Sequence, residues 1–106
     1  MNDIKWSASE KKVARGVVDA AFKRECAAIL SKLKKLAASA TTPQDMWAIN
    51  DYLDRQRRDI DSKYDYRYSQ LIFVFARLLR ENWIEEEELH GLSAQKLAYI
   101  QCIATL

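Results

Sequence analysis

A long stretch without helix-breaking residues dominates this chain, because no glycine or proline occurs between Pro43 and Gly91. Apolar or aromatic residues recur within it at steps of mostly three, four or seven, the period of one helix face. These residues are Met46, Ile49, Leu53, Ile60, Tyr64, Leu71, Phe75 and Leu78. The pattern predicts a second helix that begins at Pro43 and continues to Asn82 or beyond.

An earlier helix is indicated by the capping-box pair Ser7 and Glu10, in which each side chain bonds the backbone N–H of the other residue. This pair predicts a helix that starts near Ala8, and the apolar spacing that follows extends it to about Ala40. Gly16 interrupts this helix, and its small size favours the close approach of another helix.

The connection between the two helices is short and carries strong helix-start signals. Thr42 is a suitable N-cap, Pro43 suits the first helical position, and Asp45 adds a favourable charge there. A short turn predicts that the helices fold back as an antiparallel hairpin. We therefore expect a single domain, residues 1–106, with an extended helical hairpin at 7–82 and a C-terminal head segment at 83–106.

The head segment contains two further helical signals. An acidic turn over Glu85–His90 is followed by Gly91, for which we predict a left-handed cap. Ser93 then caps a last helix of about twelve residues. We expect this helix to fold against the almost wholly apolar run Leu71–Leu79, which gives a small helical head at one end of the hairpin.

The predicted fold class is all-α, since alanine, leucine and charged residues dominate and the chain has only two glycines and one proline. A lone hairpin of two long helices would leave apolar surface in water, so we expect two copies to form a dimeric four-helix bundle. The predicted dimer seam is Leu30, Leu33, Met46 and Ile49. The alternative is that these residues pack only within one chain.

Charge is distributed unevenly. Residues 1–42 carry a net charge of +5, residues 43–80 of +1 and residues 81–106 of −4. The basic first part raises the possibility of a nucleic-acid-binding dimer, but the total of +2 and the interleaved acids argue against it. The first residues lack the apolar core of a signal peptide, and no apolar run approaches the ~20 residues of a membrane span. We therefore expect a cytoplasmic protein without membrane insertion.

Catalytic and metal-binding patterns are weak. The single histidine, His90, lies in the acidic turn, and the lone cysteines Cys26 and Cys102 have no metal-ligand spacing. Asp59, Asp61 and Asp65 stand among basic residues, so charge pairing along a helix explains them better than metal ligation does. We predict a protein that is not an enzyme and that uses no cofactor or metal.

Aromatic and arginine residues are concentrated in the second helix, and these residue types dominate protein interfaces. The cluster consists of Trp47, Asp51, Tyr52, Arg55, Arg57, Arg58, Tyr64, Tyr66 and Tyr68, with Asn50 on the same side as Arg57. The pattern indicates a protein-binding surface. The alternative is that the aromatic residues are ordinary packing.

This stretch resembles the fluorescence recovery protein family of cyanobacteria. The matching residues are Trp47-x-x-x-Asp51-Tyr52-Leu53, then Arg57-x-x-Ile60-Asp61-x-Lys63-Tyr64-Asp65-x-Arg67-x-Ser69, then Ile72-Phe73-Val74-Phe75-Ala76-x-Leu78. A thinner likeness extends to Trp6-Ser7, Arg24-Glu25 and Glu88-Leu89. The resemblance therefore covers in effect the whole chain.

The resemblance implies an all-helical, dimeric protein without enzymatic activity. It implies binding to the C-terminal domain of photoactivated orange carotenoid protein, acceleration of its return to the orange form, and an end to phycobilisome quenching. By the same resemblance, Trp47, Asp51 and Arg57 lie in the functional patch and Phe73 in the head region that touches the partner. It also implies peripheral association with the thylakoid membrane through that partner.

The chain departs from the family pattern within these regions. Asn50 stands where the family typically has histidine, and Tyr99 stands where a lysine would suit an acidic partner. We count both among the partner-binding positions. The departures leave open a second interpretation, in which a dimer of the same kind serves as an adaptor for a different protein.

Overall fold

The computed structural model describes residues 4–106, and within that range every regular element is helical. Residues 1–3 lie outside the described residues, and the prediction about a signal peptide falls partly on them. The elements are α1 (Ala8–Ser39), α2 (Pro43–Lys63), α3 (Leu71–Arg80), a 3-10 turn (Glu86–Leu89) and α4 (Ala94–Ala104). The molecule is elongated, 53 × 25 × 23 Å. This confirms the predicted all-helical class.

The predicted helix starts are confirmed. Ser7 and Glu10 form the capping box of α1, with Glu10 N–H donating to Ser7 Oγ at 3.1 Å. Thr42 and Asp45 form a second box at the start of α2, where Pro43 takes the first position. Ser93 Oγ accepts from the backbone N–H of Lys96 at the start of α4. These capping signals involve residues three positions apart, so they do not depend on how the helices pack against one another.

The two long helices form a hairpin, but the second helix is shorter than predicted. We expected it to run to Asn82 or beyond, whereas α2 ends at Lys63 and α3 begins only at Leu71. The break is caused by tertiary contacts. The Lys63 side chain is buried against α1, and the Tyr64 ring packs edge-on against Phe22 with ring centroids 5.4 Å apart. These contacts outweigh the helical propensity of the segment, which contains no glycine or proline.

The core lies at one end of the rod. It combines the first part of α1 with α3, the 3-10 turn and α4, so the predicted packing of the last helix against Leu71–Leu79 is confirmed. The fully buried members with the largest side chains are Phe75, Leu71, Leu78, Leu89 and Ile100. We call this end, with α1 up to Glu25, the head. We call the remainder of α1 together with α2 the stem.

The predicted left-handed cap at Gly91 is wrong, because no glycine in the described residues has a positive φ. A Cβ atom at Gly91 would instead lie 2.5 Å from Val13 Cγ2, so the glycine allows the final loop to approach α1 closely. Asn82 adopts the left-handed conformation after α3, with φ of 65°. No helix of this chain makes the predicted close approach at Gly16, since a Cβ atom there would have nothing within 4 Å.

Candidate protein-binding surfaces

One side of α2 presents the predicted partner-binding residues of the stem. Trp47, Asn50, Asp51 and Arg57 are all exposed, and the spacing places them within an arc of about 120° around the helix axis. We call these four residues the stem surface. Trp47 is 61% exposed, which is unusual for a residue with so large an apolar area.

Arg57 keeps its guanidinium available. Its side chain is 84% exposed, and its Nε lies 3.9 Å from Asp61 Oδ2, a long and solvated contact. Trp47 lies ten positions earlier on α2, about 15 Å away along the helix axis, and tryptophan and arginine are the residue types enriched in binding hot spots. The stem surface can therefore give a partner both apolar contact area and directed hydrogen bonds.

Some aromatic residues of the predicted surface belong to internal packing instead. Tyr52 is buried in the hairpin, with Lys32 Nζ 4.9 Å from its ring centroid. Tyr66 is half-buried beneath Arg15, whose guanidinium carbon is 3.6 Å from the ring centroid. The packing around Tyr52 on α2 and Tyr66 in the connection after α2, rather than their residue type, determines that they are not free to bind.

The predicted seam residues are at least partly exposed on the stem, two on α1 and two on α2. Leu30 is 50% exposed and Met46 is 54% exposed, while Leu33 and Ile49 are half-buried. A groove of about 420 Å³ lies between α1 and α2, and the seam residues are not among its lining. Its lining is Phe22, Cys26, Ile29, Leu53, Gln56, Arg57, Ile60 and Asp61. Contiguous exposed apolar surface of this kind marks interaction sites.

The head presents a second exposed aromatic residue, Phe73 on α3, which is 44% exposed. It borders a small notch of about 190 Å³ at the junction between α2 and α3. The other residues of the notch are Ser62, Lys63, Asp65, Gln70, Val74 and Arg77. Tyr99 is exposed separately, on α4. We call Phe73 and its notch the head surface.

An ion-pair cluster at the junction of stem and head was not predicted. Lys63 Nζ lies 2.6 Å from Glu25 Oε2 and 2.6 Å from Glu81 Oε1, and its side chain is 1% exposed. Burial would lower the pKa of Lys63, but the hydrogen bonds to Glu25 and Glu81 outweigh it and raise the pKa above its usual value. The cluster joins residues 38 positions apart, so no local signal could reveal it.

The predicted charge pairing along a helix is confirmed for Asp59 and Asp61 on α2, whereas Asp65 follows the end of α2 and pairs within the connecting segment. Asp59 pairs with Lys63 and Arg77, Asp61 with Arg57, and Asp65 with Arg67. The hydrogen bond from Arg77 is the main reason that the pKa of Asp59 is lowered. Among residues 4–106, no group of three or more His, Cys, Asp and Glu residues could hold a metal ion.

Both cysteine thiols are free, Cys26 half-buried in the groove and Cys102 exposed. Burial is the main cause of a raised pKa at Cys26, with a smaller contribution from Glu25. A thiol with a raised pKa is a weak nucleophile. No helix in the described part of the chain is both long and apolar enough to cross a membrane.

The described residues form an all-helical protein with two separate exposed surfaces, each containing one large aromatic side chain, Trp47 or Phe73. The chain belongs to the family described as photoprotection regulator fluorescence recovery protein, whose model matches residues 6–104. It is 39% identical over 101 residues to the fluorescence recovery protein of Synechocystis sp. PCC 6803. That match covers 95% of this chain and 93% of the relative.

Solved structures agree with this assignment. The fluorescence recovery protein of Fremyella diplosiphon superposes with a TM-score of 0.92 at 35% identity, covering 96% of this chain and all of that chain. The Synechocystis protein gives a TM-score of 0.92 at 38% identity with the same coverage. The resemblance predicted from the sequence is confirmed at the level of the family, whose members are photoprotection regulators.

Proposed function

We propose that this protein binds the C-terminal domain of photoactivated orange carotenoid protein and accelerates its return to the orange form, which ends quenching of phycobilisome fluorescence. The observation that carries the proposal is the family match over residues 6–104. The exposed stem surface supports it, because a free tryptophan and arginine on a rigid helix are suited to grip another protein. The protein acts without a cofactor in the cytoplasm and reaches the thylakoid periphery through its partner.

The mechanism is catalysis of a conformational change. A protein that accelerates such a change must bind the transition state between the two forms more tightly than it binds the starting form. Acceleration alone leaves the final ratio of the forms unchanged, and a shift in that ratio requires different affinities for them. The stem surface and the head surface would hold one domain of the partner while its other domain returns.

We propose further that the working unit is a homodimer. Leu30 on α1 and Met46 on α2 are each about half exposed, and a groove with an apolar majority of lining residues lies between the same two helices. A second copy would remove this surface from water. Met46→Glu or Leu30→Glu would place an unpaired charge in the seam, so each should halve the mass measured by light scattering. An unchanged mass would rule out this seam.

The activity is tested by following the visible absorbance of photoactivated orange carotenoid protein as it returns in the dark, with and without this protein. We expect a large acceleration, and we expect Trp47→Ala or Arg57→Leu to reduce it at unchanged helix content. Lys12→Leu is a matched control, because it removes one exposed positive charge from α1 at a position outside both the stem surface and the head surface. It should retain the acceleration.

The outcome also tests the two departures from the family pattern, Asn50 and Tyr99. A large acceleration would mean that both are tolerated. No acceleration from a folded protein would contradict the proposal, and it would favour the second interpretation, in which the protein is an adaptor for a different partner. Affinity capture from the source organism, with Trp47→Ala as the control bait, would then identify that partner.

A further inference from the structure

The stem and the head meet at the middle of α1, and a closed network of charged groups holds them there. Its centre is Lys63, the last residue of α2. The Lys63 ammonium contacts three carboxylates: Glu25 of α1 at 2.6 Å, Glu81 directly after α3 at 2.6 Å, and Asp59 of α2 at 3.4 Å. One buried cation therefore joins α1, α2 and the end of α3.

Every carboxylate oxygen in this network has a partner. The second oxygen of Glu25 accepts from the Tyr64 hydroxyl at 2.8 Å. Arg77 donates to the remaining oxygens of Asp59 and Glu81, at 2.7 and 2.8 Å. A network satisfied in this way holds its members in one arrangement, because any rotation would leave a charged group without its partner.

Arg24, which precedes Glu25 in α1, makes a second connection to the segment that follows α3. Arg24 donates to the backbone carbonyl of Trp83 at 3.0 Å and pairs with Glu88 at 2.8 Å. The segment that follows α3 is thus tied to α1 near both of its ends, through Glu81 and through Glu88. These two polar links add to the packing of α3, the 3-10 turn and α4 on the first part of α1.

The network lies between the two surfaces that the proposed function uses. The stem surface is on α2, ahead of Lys63, and the head surface is on α3, beyond the break. Lys63 and Arg77 themselves line the notch beside Phe73. The geometry of this junction therefore sets the distance and angle between the two surfaces.

We propose that the Lys63 network is a positioning device for the activity. It fixes the head relative to the stem so that the stem surface and the head surface engage one partner molecule together. This rests on the proposed function. Two linked contacts bind far more tightly than either does alone, but only when their spacing fits the partner. A buried ion pair is replaceable by apolar residues without loss of stability, so its value here is the orientation that it imposes.

The test replaces the buried pair with apolar residues of similar volume, in Glu25→Leu/Lys63→Met. No unpaired charge stays buried, because Asp59 and Glu81 keep Arg77 and are partly exposed. The control, Lys12→Met/Glu87→Leu, removes one exposed cation and one exposed carboxylate of the head with the same change in charge. Glu81→Gln is a milder second variant, should the first lose helix content.

Orientation is measured by spin-label distances between Cys102 in the head and a cysteine introduced at Ser39, at the end of the stem, with Cys26 replaced by serine. Labelled chains are diluted with unlabelled ones, so that distances within one chain dominate. We expect a broadened distance distribution in Glu25→Leu/Lys63→Met and in Glu81→Gln, and an unchanged one in the control.

Activity is measured as the acceleration of the dark return at increasing protein concentration. We expect the junction variant to need at least tenfold more protein for half of the maximal acceleration, while the control behaves like the wild type. An unchanged distance distribution would overturn the proposal, and so would a broadened one with full acceleration. If the wild type itself gives no acceleration, the proposed function fails, and the distances alone then decide whether the network sets the orientation.

Discussion

The head and the stem share the helix α1, which has buried residues in the head and none in the stem. All buried residues of α1 lie between Glu10 and Glu25, and none lies in the part that forms the stem. In α2, the buried residues are only Tyr52 and the junction residue Lys63. The head thus closes its core with its own chain, whereas the stem leaves an apolar side to water. Folding within one chain explains the head, whereas the stem keeps exposed the surface that the proposed dimer would bury.

The strongest test of this difference between head and stem is to remove a fully buried side chain from the head. Phe75 is 0% exposed, so Phe75→Ala should lower the free energy of unfolding by about 3–5 kcal/mol. Chemical denaturation should show this loss at every protein concentration. Leu30→Ala in the stem should instead destabilise only at concentrations where copies associate. A concentration-independent loss at Leu30 would mean that the stem is closed within one chain.

A second prediction concerns the electrostatics that secure the head. The Glu10 carboxylate accepts from the backbone N–H of Ser7 at 3.0 Å and of Ser93 at 2.9 Å, and from Lys96 Nζ at 3.1 Å. Burial would raise the pKa of Glu10, but these hydrogen bonds outweigh it and lower the pKa from 4.5 to about 2. The stability that this group contributes is complete above pH 4.5 and is lost as the pH falls toward 2.

Urea denaturation of the wild type at several pH values should show this loss, and Glu10→Gln should flatten it. At neutral pH the same variant should cost about 1–3 kcal/mol, since hydrogen bonds to a charged group are lost in the head. Glu87→Gln removes the same charge from an exposed position and should cost less than about 0.5 kcal/mol. Equal costs would show that Glu10 is not a structural link between α1 and α4.

The third prediction uses the close approach in the head. Gly91→Ala would bring a Cβ atom to 2.5 Å from Val13 Cγ2, a distance that requires the structure to shift. Because valine is stiff at χ1, we expect a loss of about 1–3 kcal/mol. Adding Val13→Ala should recover part of it, and a double-mutant cycle measures this coupling. Additive losses would contradict the contact.

The helix starts and the break after Lys63 show how far the sequence alone determines the fold. The capping pairs Ser7–Glu10 and Thr42–Asp45 could be predicted because they depend on residues three positions apart. The break after Lys63 could not, because its cause is a partner 38 positions away and the local pattern favours a continuous helix. Long-range contacts overrode local propensity there.

For the candidate surfaces, too, local spacing could be predicted from the sequence, whereas burial that depends on helix pairing could not. The spacing of Trp47, Asn50, Asp51 and Arg57 predicts that they share one side of a helix, and the structure leaves all four exposed. The burial of Tyr52 depends on how α1 and α2 pair, which periodicity alone does not determine. The roles of these residues in partner binding stay predictions.

The smallest expected effect has the opposite sign and comes from the other glycine. Gly16 lies in α1, and a Cβ atom added there would have nothing within 4 Å, so an added methyl group meets no neighbour. Alanine restricts the unfolded chain and favours the helix, so Gly16→Ala should raise the free energy of unfolding by about 0.5–1 kcal/mol. Thermal denaturation should show a melting temperature above that of the wild type for Gly16→Ala and below it for Gly91→Ala. Destabilisation at Gly16 would mean that this exposed part of the head contacts another molecule, and the contrast between a closed head and an open stem would then fail.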